Sequence, residues 1–589
     1  MNNPIAYYQE HLKTYQEQEI KLKKQMAILS TFRLLVFITT GILVYVSIYN
    51  WQLAIAEGIL GAIVFIVLLS KYTKTKSERA FYKELIEINE VEIKISNGDF
   101  HDRDQGLEFQ TANHFYSVDI DLFGRGSFYQ FINRTRIKEG SQRLAESLKA
   151  NNIEDIQLRQ AAIKELCNKP QWCQFYLAHA SLVSTETSAD NIVTWLLNHK
   201  TFLPKIMRWL PISFSVFSLI LLALTIFNVI DKSLIGYWLL IGLAVTSIYL
   251  KKINYLSSNS DKVKETFRQY ASLLNQIEGE SFTSDILKQK QDLITFKGKR
   301  ASVIFKEFSK VFDALDNRYN LISAIFGNGL FLLDIKNSYH VEQWISKYAH
   351  TVEDWFEVIA FFDAYISLSN FAFNHFEFVW PEIKQNEVTI NAKQLGHPLL
   401  RKSKRIDSDV IINNEQFFIV TGANMAGKST FLRTVALHIV MANVGLPVCA
   451  QKSEYTPVKL ISSMRTNDSL VDESSYFFSE LKRLKYIVDT IKDESYFIVL
   501  DEILKGTNST DKAIGSKKFV EKLVASHTTG IIATHDLSLC EIEKELEEIK
   551  NYYFDAEIIN DELHFDYKLK EGICKNMNAS FLLKKMDIV

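Results

Sequence analysis

Phe417-Phe418-Ile419-Val420-Thr421-Gly422-Ala423-Asn424-Met425-Ala426-Gly427-Lys428-Ser429-Thr430 is the stretch that decides the fold. Its first five residues are apolar and partly β-branched, the composition of a strand buried on both faces. Beyond it, Phe431 to Val444 carries apolar residues at helical spacing. Between them Gly422 to Ser429 spells G-x-x-x-x-G-K-S, so strand, glycine loop and helix come in the order that a phosphate-binding loop needs. The glycines let successive N–H groups face phosphate oxygens, and the helix N-terminus adds its partial positive charge. Gly422, Ala423, Asn424, Met425, Ala426, Gly427, Lys428, Ser429 and Thr430 are therefore the candidate nucleotide-binding residues. Lys428 can reach the β- and γ-phosphates, and Ser429 can ligate Mg²⁺.

A second apolar run, Tyr496-Phe497-Ile498-Val499-Leu500, ends in Asp501-Glu502. Asp501 is a candidate Mg²⁺ ligand and Glu502 a candidate to orient or deprotonate water. A third run, Gly530-Ile531-Ile532-Ala533-Thr534, places His535 where a strand would open onto the γ-phosphate. An acid pair can also cap a helix, and a single histidine is commonly a loop residue with ordinary partners. Three strand ends bearing Lys428 with Ser429, Asp501 with Glu502, and His535 fit one site, because ligands of open α/β sheets gather at the carboxyl ends of strands.

These motifs resemble the ATPase domain of the MutS mismatch-repair family, a branch of the ABC-type P-loop ATPases. The resemblance rests on Thr421 to Thr430, on Asp501-Glu502-Ile503-Leu504-Lys505-Gly506-Thr507-Asn508-Ser509-Thr510-Asp511, and on Ala533-Thr534-His535. Ala450-Gln451-Lys452 is similar to the family's glutamine-containing loop, and Ser474-Ser475-Tyr476-Phe477-Phe478-Ser479-Glu480-Leu481 to its signature segment. The resemblance implies ATP and Mg²⁺ as cofactors and a homodimer with composite sites. In such a site Ser475, with Ser474 as the other choice, reaches the γ-phosphate of the neighbouring subunit. Gly396-His397-Pro398 resembles the start of the domain, and Asp119 to Leu144 the start of the family's helical core and lever. The likeness spans roughly residues 118–555, strongly in the ATPase and weakly in the helices. Two departures stand out. The mismatch-reading domain has no counterpart in the roughly 30 residues before the first apolar run, and an apolar hairpin takes the place of the DNA-gripping clamp. No aromatic lies between Pro398 and Gln416, where the family keeps a ring for adenine, which leaves Arg405 or Ile406 to serve.

At 589 residues the chain is too long for one domain. Thr31 to Asn50 and Leu53 to Ser70 are nearly continuous apolar runs, and Trp209 to Ile230 and Ser233 to Leu250 repeat the pattern. Each is about long enough to cross a ~30 Å hydrocarbon core at ~1.5 Å per residue. Lys21, Lys23, Lys24 and Arg33 lie at the start of the first pair and Lys71, Lys74, Lys76 and Arg79 follow it. Lys205 and Arg208 precede the second pair, and Lys251 and Lys252 follow it. By the positive-inside rule both hairpins point outward from a cytoplasmic body. Glu57, near the turn, is expected to reach back to the interface. The predicted organisation is a cytosolic segment 1–28, transmembrane hairpin 29–72, helical core and lever 73–200, second hairpin 201–252, further core 253–385 and ATPase 386–589. The predicted fold is an α/β P-loop domain joined to an all-α core with four transmembrane helices, in a multi-pass protein of the cell (inner) membrane with its ATPase cytoplasmic.

The formal net charge of −2 gives no basic stripe for nucleic acid. The cluster Lys297-Gly298-Lys299-Arg300 reads as a solvated turn. Five cysteines without a C-x-x-C pair read as reduced thiols. Two functions fit: a membrane-anchored MutS-like ATPase acting on DNA, or a membrane ATPase that couples nucleotide state to its hairpins or to a protein partner without DNA.

Overall fold

In the computed structural model the described residues are 3–183, 188–258, 260–316, 318, 320–385, 387–423, 425–465, 476–492, 494–505, 507–559 and 562–574. Helix α1 (Pro4–Val46) opens on Asn3, whose side chain accepts from the Ile5 N–H, and α2 (Trp51–Ser96) returns beside it. Both predicted apolar runs lie within or against this pair, but the helices extend far beyond them. The lower half of α2 turns protein-facing and buries Leu85, Ile88, Glu92 and Ile95. Glu92 pairs with Arg134, both nearly sealed from solvent, and also accepts from Asn370 and Asn374 at 2.9 and 2.8 Å. A buried carboxylate is tolerated here because its oxygens are met by a guanidinium and two amides.

The second apolar pair forms α3 (Leu210–Ile226) and α4 (Ser233–Ser258). Helix α3 is shorter than the predicted Trp209–Ile230, since Phe227 closes it and Asn228 turns at φ +57°. Phe214 stacks on Trp238 to hold the two together. The Oε2 of Glu57 is buried and has no hydrogen-bond partner among the described residues. The 42-residue helix α5 (Leu333–Asn374) is the spine of the helical core and touches most of its helices. The Lys297 cluster does form a turn, between two short antiparallel strands, as its composition suggested.

The carboxy-terminal part holds two sheets. The larger contains β1 (Phe417–Gly422), β2 (Lys459–Ser463), β3 (Tyr496–Asp501), β4 (Thr529–Ala533), β5 (Ile549–Ile559) and β6 (Glu562–Glu571) in the order β6-β5-β1-β4-β3-β2. All neighbours are parallel except β5 with β6. The smaller sheet orders Glu382–Ile383, Lys452–Tyr455, Val388–Leu395 and Ser408–Asn413. Every residue of β1 and β4 is buried, which explains why they read as unbroken apolar runs and not as alternating ones. Helix α6 (Lys428–Val444) follows β1 and is buried along most of its length.

Candidate functional site

Register brings the site together. Ala533 lies opposite Val420 of β1 on one side and Asp501 of β3 on the other, so the three strands end level with one another. The residues just past those ends converge. After β1 the loop turns through Met425 at φ +68° and Gly427 at φ +105°, a conformation that a side chain would strain. Gly427 is the N-cap of α6 and offers no capping side chain, which leaves the first N–H groups of the helix open to a ligand.

Lys428 Nζ donates to the carbonyls of Gly422 and Ala423 at 2.9 and 3.0 Å and lies 3.2 Å from His535 Nε2. Burial lowers its pKa, opposed by Asp501 and Glu502. Ser429 Oγ donates to Asp501 Oδ2 at 2.7 Å. A hydroxyl and a carboxylate at that distance fit Mg²⁺, which takes one or two protein oxygens and fills its other positions with waters and phosphate.

Glu502 sits at φ +51°, a strained setting for a residue with a side chain, and its N–H is held by the Ala533 carbonyl at 2.9 Å. Its Oε1 is 2.9 Å from His535 Nε2, and the hydrogen bond from His535 holds the carboxyl down to about 2. One ring nitrogen faces two partners. With a proton it donates to Glu502; without one it accepts from Lys428. Nε2 can serve only one of them at a time. Glu480, almost fully buried, accepts from the Lys505 N–H at 3.0 Å and so braces the segment that follows the acid pair.

These groups line a cavity of about 650 Å³ that also contains Gly427, Thr430 and Met425. Asn424 and Ser475, with Ser474, lie outside the described residues. Gln451 does not line the cavity; its N–H bonds the Lys393 carbonyl in the smaller sheet. Arg405 and Ile406 do line it, yet they are not what supplies aromatic surface there. The rings come from Phe431, Phe554 and Tyr567, the last on the returning strand β6. A Cβ on Gly427 would stand 3.2 Å from the Tyr567 ring, so that ring lies directly over the loop. Sequence reading missed it because it sought the aromatic before the loop, whereas the hairpin carries one back from 140 residues further on.

The helical core touches α6 and the end of β2 through Asp119 and Asp121. Asp119 accepts from Ser462 Oγ at 2.6 Å and from the Arg465 N–H at 2.8 Å. Asp121 pairs with Arg433, on the second turn of α6, and with Arg465.

Residues 418–584 match the family model for MutS domain V. Over these residues the chain is similar to the MutS proteins. Among its relatives, the human MutS protein homolog 4 is 29% identical over 294 residues, covering 46% of this chain and 31% of the relative. The DNA mismatch repair protein MutS of Staphylococcus haemolyticus is 26% identical over 301 residues, covering 50% of this chain and 30% of that protein. That of Persephonella marina reaches 33% identity over 191 residues, 31% of this chain and 22% of the relative. The matched part is thus about a third or less of each relative's length. The MutS domain V match begins inside β1 and takes in α6, Asp501, Glu502, His535 and Tyr567.

Proposed function

We propose that this chain is a membrane-anchored MutS-type ATPase. The observation that carries the reading is the convergence of Lys428, Ser429–Asp501 and the Glu502–His535 pair on one cavity at the ends of adjacent parallel strands. Lys428 leaves the loop carbonyls to meet the β- and γ-phosphates, and the open N–H groups of α6 hold the phosphate chain. Ser429 and Asp501 would hold Mg²⁺, which when bound would supply positive charge against the phosphate oxygens. Glu502, ionised at working pH, orients and accepts the proton of the attacking water, while His535 keeps the carboxylate in place. Tyr567 gives the base a ring to stack on.

In this reading the chain divides at 28/29, 72/73, 200/201, 252/253 and 385/386 into a cytoplasmic body with two outward hairpins. The window of highest hydropathy in α1 and in α2 is 0% buried, and that in α4 11%, so these helices present apolar side chains with no protein over them. Helix α3 is apolar but short. Lysines and arginines at the inner ends support a cytoplasmic body in a cell (inner) membrane protein, by the positive-inside rule. Dimerisation would bring Ser475 of one subunit to the nucleotide of the other. DNA is the partner suggested by the mismatch-repair relatives. The second reading, coupling to the hairpins or to a protein without DNA, is favoured by α5, which runs from the second hairpin to the core beside the ATPase.

The test is Mg²⁺-dependent ATP hydrolysis by the full chain in bilayer discs. Glu502→Gln should keep ATP binding and lower turnover by about 10²–10⁴-fold, the usual worth of a positioned general base. Unchanged turnover would remove Glu502 from the chemistry. DNA binding measured across a salt series separates the two readings, because phosphate contacts must weaken as salt rises.

A further inference from the structure

Between the core and α5 lies Asn320-Leu321-Ile322-Ser323-Ala324-Ile325-Phe326-Gly327-Asn328-Gly329-Leu330-Phe331-Leu332, a stretch that the reading above leaves without a role. It folds as one wide turn over Ser323–Gly327 and a short helix Asn328–Phe331, then breaks at Leu332, φ +48°, before α5 begins. Its contacts are with the second hairpin. A Cβ on Gly242 of α4 would stand 2.2 Å from the Gly329 carbonyl oxygen, and one on Gly329 would stand 2.5 Å from Leu239. Backbone therefore meets backbone, as small residues allow between membrane helices.

The break at Leu332 frees carbonyls that a continuous helix would have used. Ser218 Oγ donates to the Leu330 carbonyl at 2.5 Å, and Ser215 Oγ, which donates to the Pro211 carbonyl at 2.6 Å, lies 3.3 Å from that of Phe331. Asn328 Oδ1 takes the Asp334 N–H at 2.9 Å. In water these groups would need no such care. In hydrocarbon an unmet polar group is costly, so a broken helix survives there only where protein satisfies it, as Ser218 of α3 does for the Leu330 carbonyl.

The outer face is apolar. Leu321, Ile322 and Phe326 are 73, 69 and 52% exposed. The depth follows from the helices it touches. Gly242 is midway between Ser233 and Lys251, and Ser218 is midway along α3. At ~1.5 Å per residue each is about 13 Å from either end of its span, the middle of a ~30 Å core. The base sits at the boundary: Arg318 pairs with Asp334 and bonds Asn254, just past Lys251 and Lys252. Lys336 and His340 of α5 face Arg208, at the foot of α3.

We propose that residues 320–332 are a re-entrant element that enters the bilayer from the cytoplasmic side to about its middle, docked on α3 and α4, and leaves as α5. This rests on the membrane reading of the second hairpin. Its occupant is lipid hydrocarbon, by continuity with the lipid-facing surface of α3 and α4. It makes α5 a rod whose upper end is held in the membrane and whose lower end adjoins the core beside the nucleotide site.

The experiment uses the wild-type chain in bilayer discs containing a lipid with a photoactivated diazirine on its acyl chain, with labelled residues located by peptide mass spectrometry. Leu321, Ile322 and Phe326 should be labelled as strongly as Leu219 and Ile220 of α3, and about tenfold more than the exposed Lys347 and Glu353 of α5. Labelling of α3 without residues 320–332 overturns the inference and leaves the anchor standing, a protein partner over the segment being one cause. Absence of label from α3 and α4 as well would overturn the membrane reading and this inference together.

Discussion

Helices α2 and α5 are nearly equal in length, 46 and 42 residues, and each contains a window apolar enough to cross a membrane, yet that window is 0% buried in α2 and 83% buried in α5. An apolar helix needs surroundings other than water; it does not say whether lipid or protein supplies them. What separates the two is their polar residues. Helix α5 carries Glu342, which accepts the N–H groups of Phe202 and Leu203 at 2.7 and 3.2 Å. Its Ser367 takes the Arg134 N–H at 2.7 Å. Each of these partners lies on another element, and so each fixes α5 inside the protein. The apolar stretch of α2 offers only Glu57, whose Oε2 has no partner among the described residues. One helix is the spine of a core; the other faces outward.

The contrast breaks first if packing is tested. Phe362→Ala, in the buried face of α5, should destabilise the folded chain by about 3–5 kcal/mol, whereas Ile66→Ala on the outer face of α2 should cost under about 1 kcal/mol. Equal losses in chemical denaturation would mean that protein covers α2. A charge sharpens it further: Leu60→Lys, mid-span and exposed, should penalise insertion by about 2.5–3.5 kcal/mol, read as loss of protein from the membrane fraction.

The same contrast can be read through pH. Asp363, fully buried on α5, accepts the N–H groups of Arg136 and Ile137 at 3.0 and 3.1 Å, and burial raises its carboxyl to about 7. Between the ordinary value of 3.8 and about 7 the folded chain keeps a proton that the unfolded chain has lost. Stability is then greatest at the acid end of that window, falls as pH rises through it and is level above. Across it the wild type should lose about 4 kcal/mol relative to Asp363→Asn, measured as denaturation midpoints at each pH. A pH-independent difference would show that Asp363 stays ionised in the fold.

The candidate site is largely legible in the sequence, because each chemical group stands beside an apolar run that announces a buried strand. Lys428, Ser429, Asp501, Glu502 and His535 were all found that way, and register then levelled their strand ends. Tyr567 was not, since no local pattern ties a residue of an antiparallel return strand to a loop so far upstream. The re-entrant stretch also escaped, because Leu321 to Leu332 is too short for a span and its glycines read as loop.

From the amino-acid order alone came the buried strands, the phosphate loop and the long apolar helices, all set by spacing within a dozen or two neighbouring residues. Only the tertiary structure decided which apolar helix faces outward, which ring covers the loop, and that one histidine nitrogen must choose between a lysine and a carboxylate. Those outcomes depend on contacts between residues hundreds of positions apart, where burial and hydrogen-bond satisfaction are settled by what packs alongside.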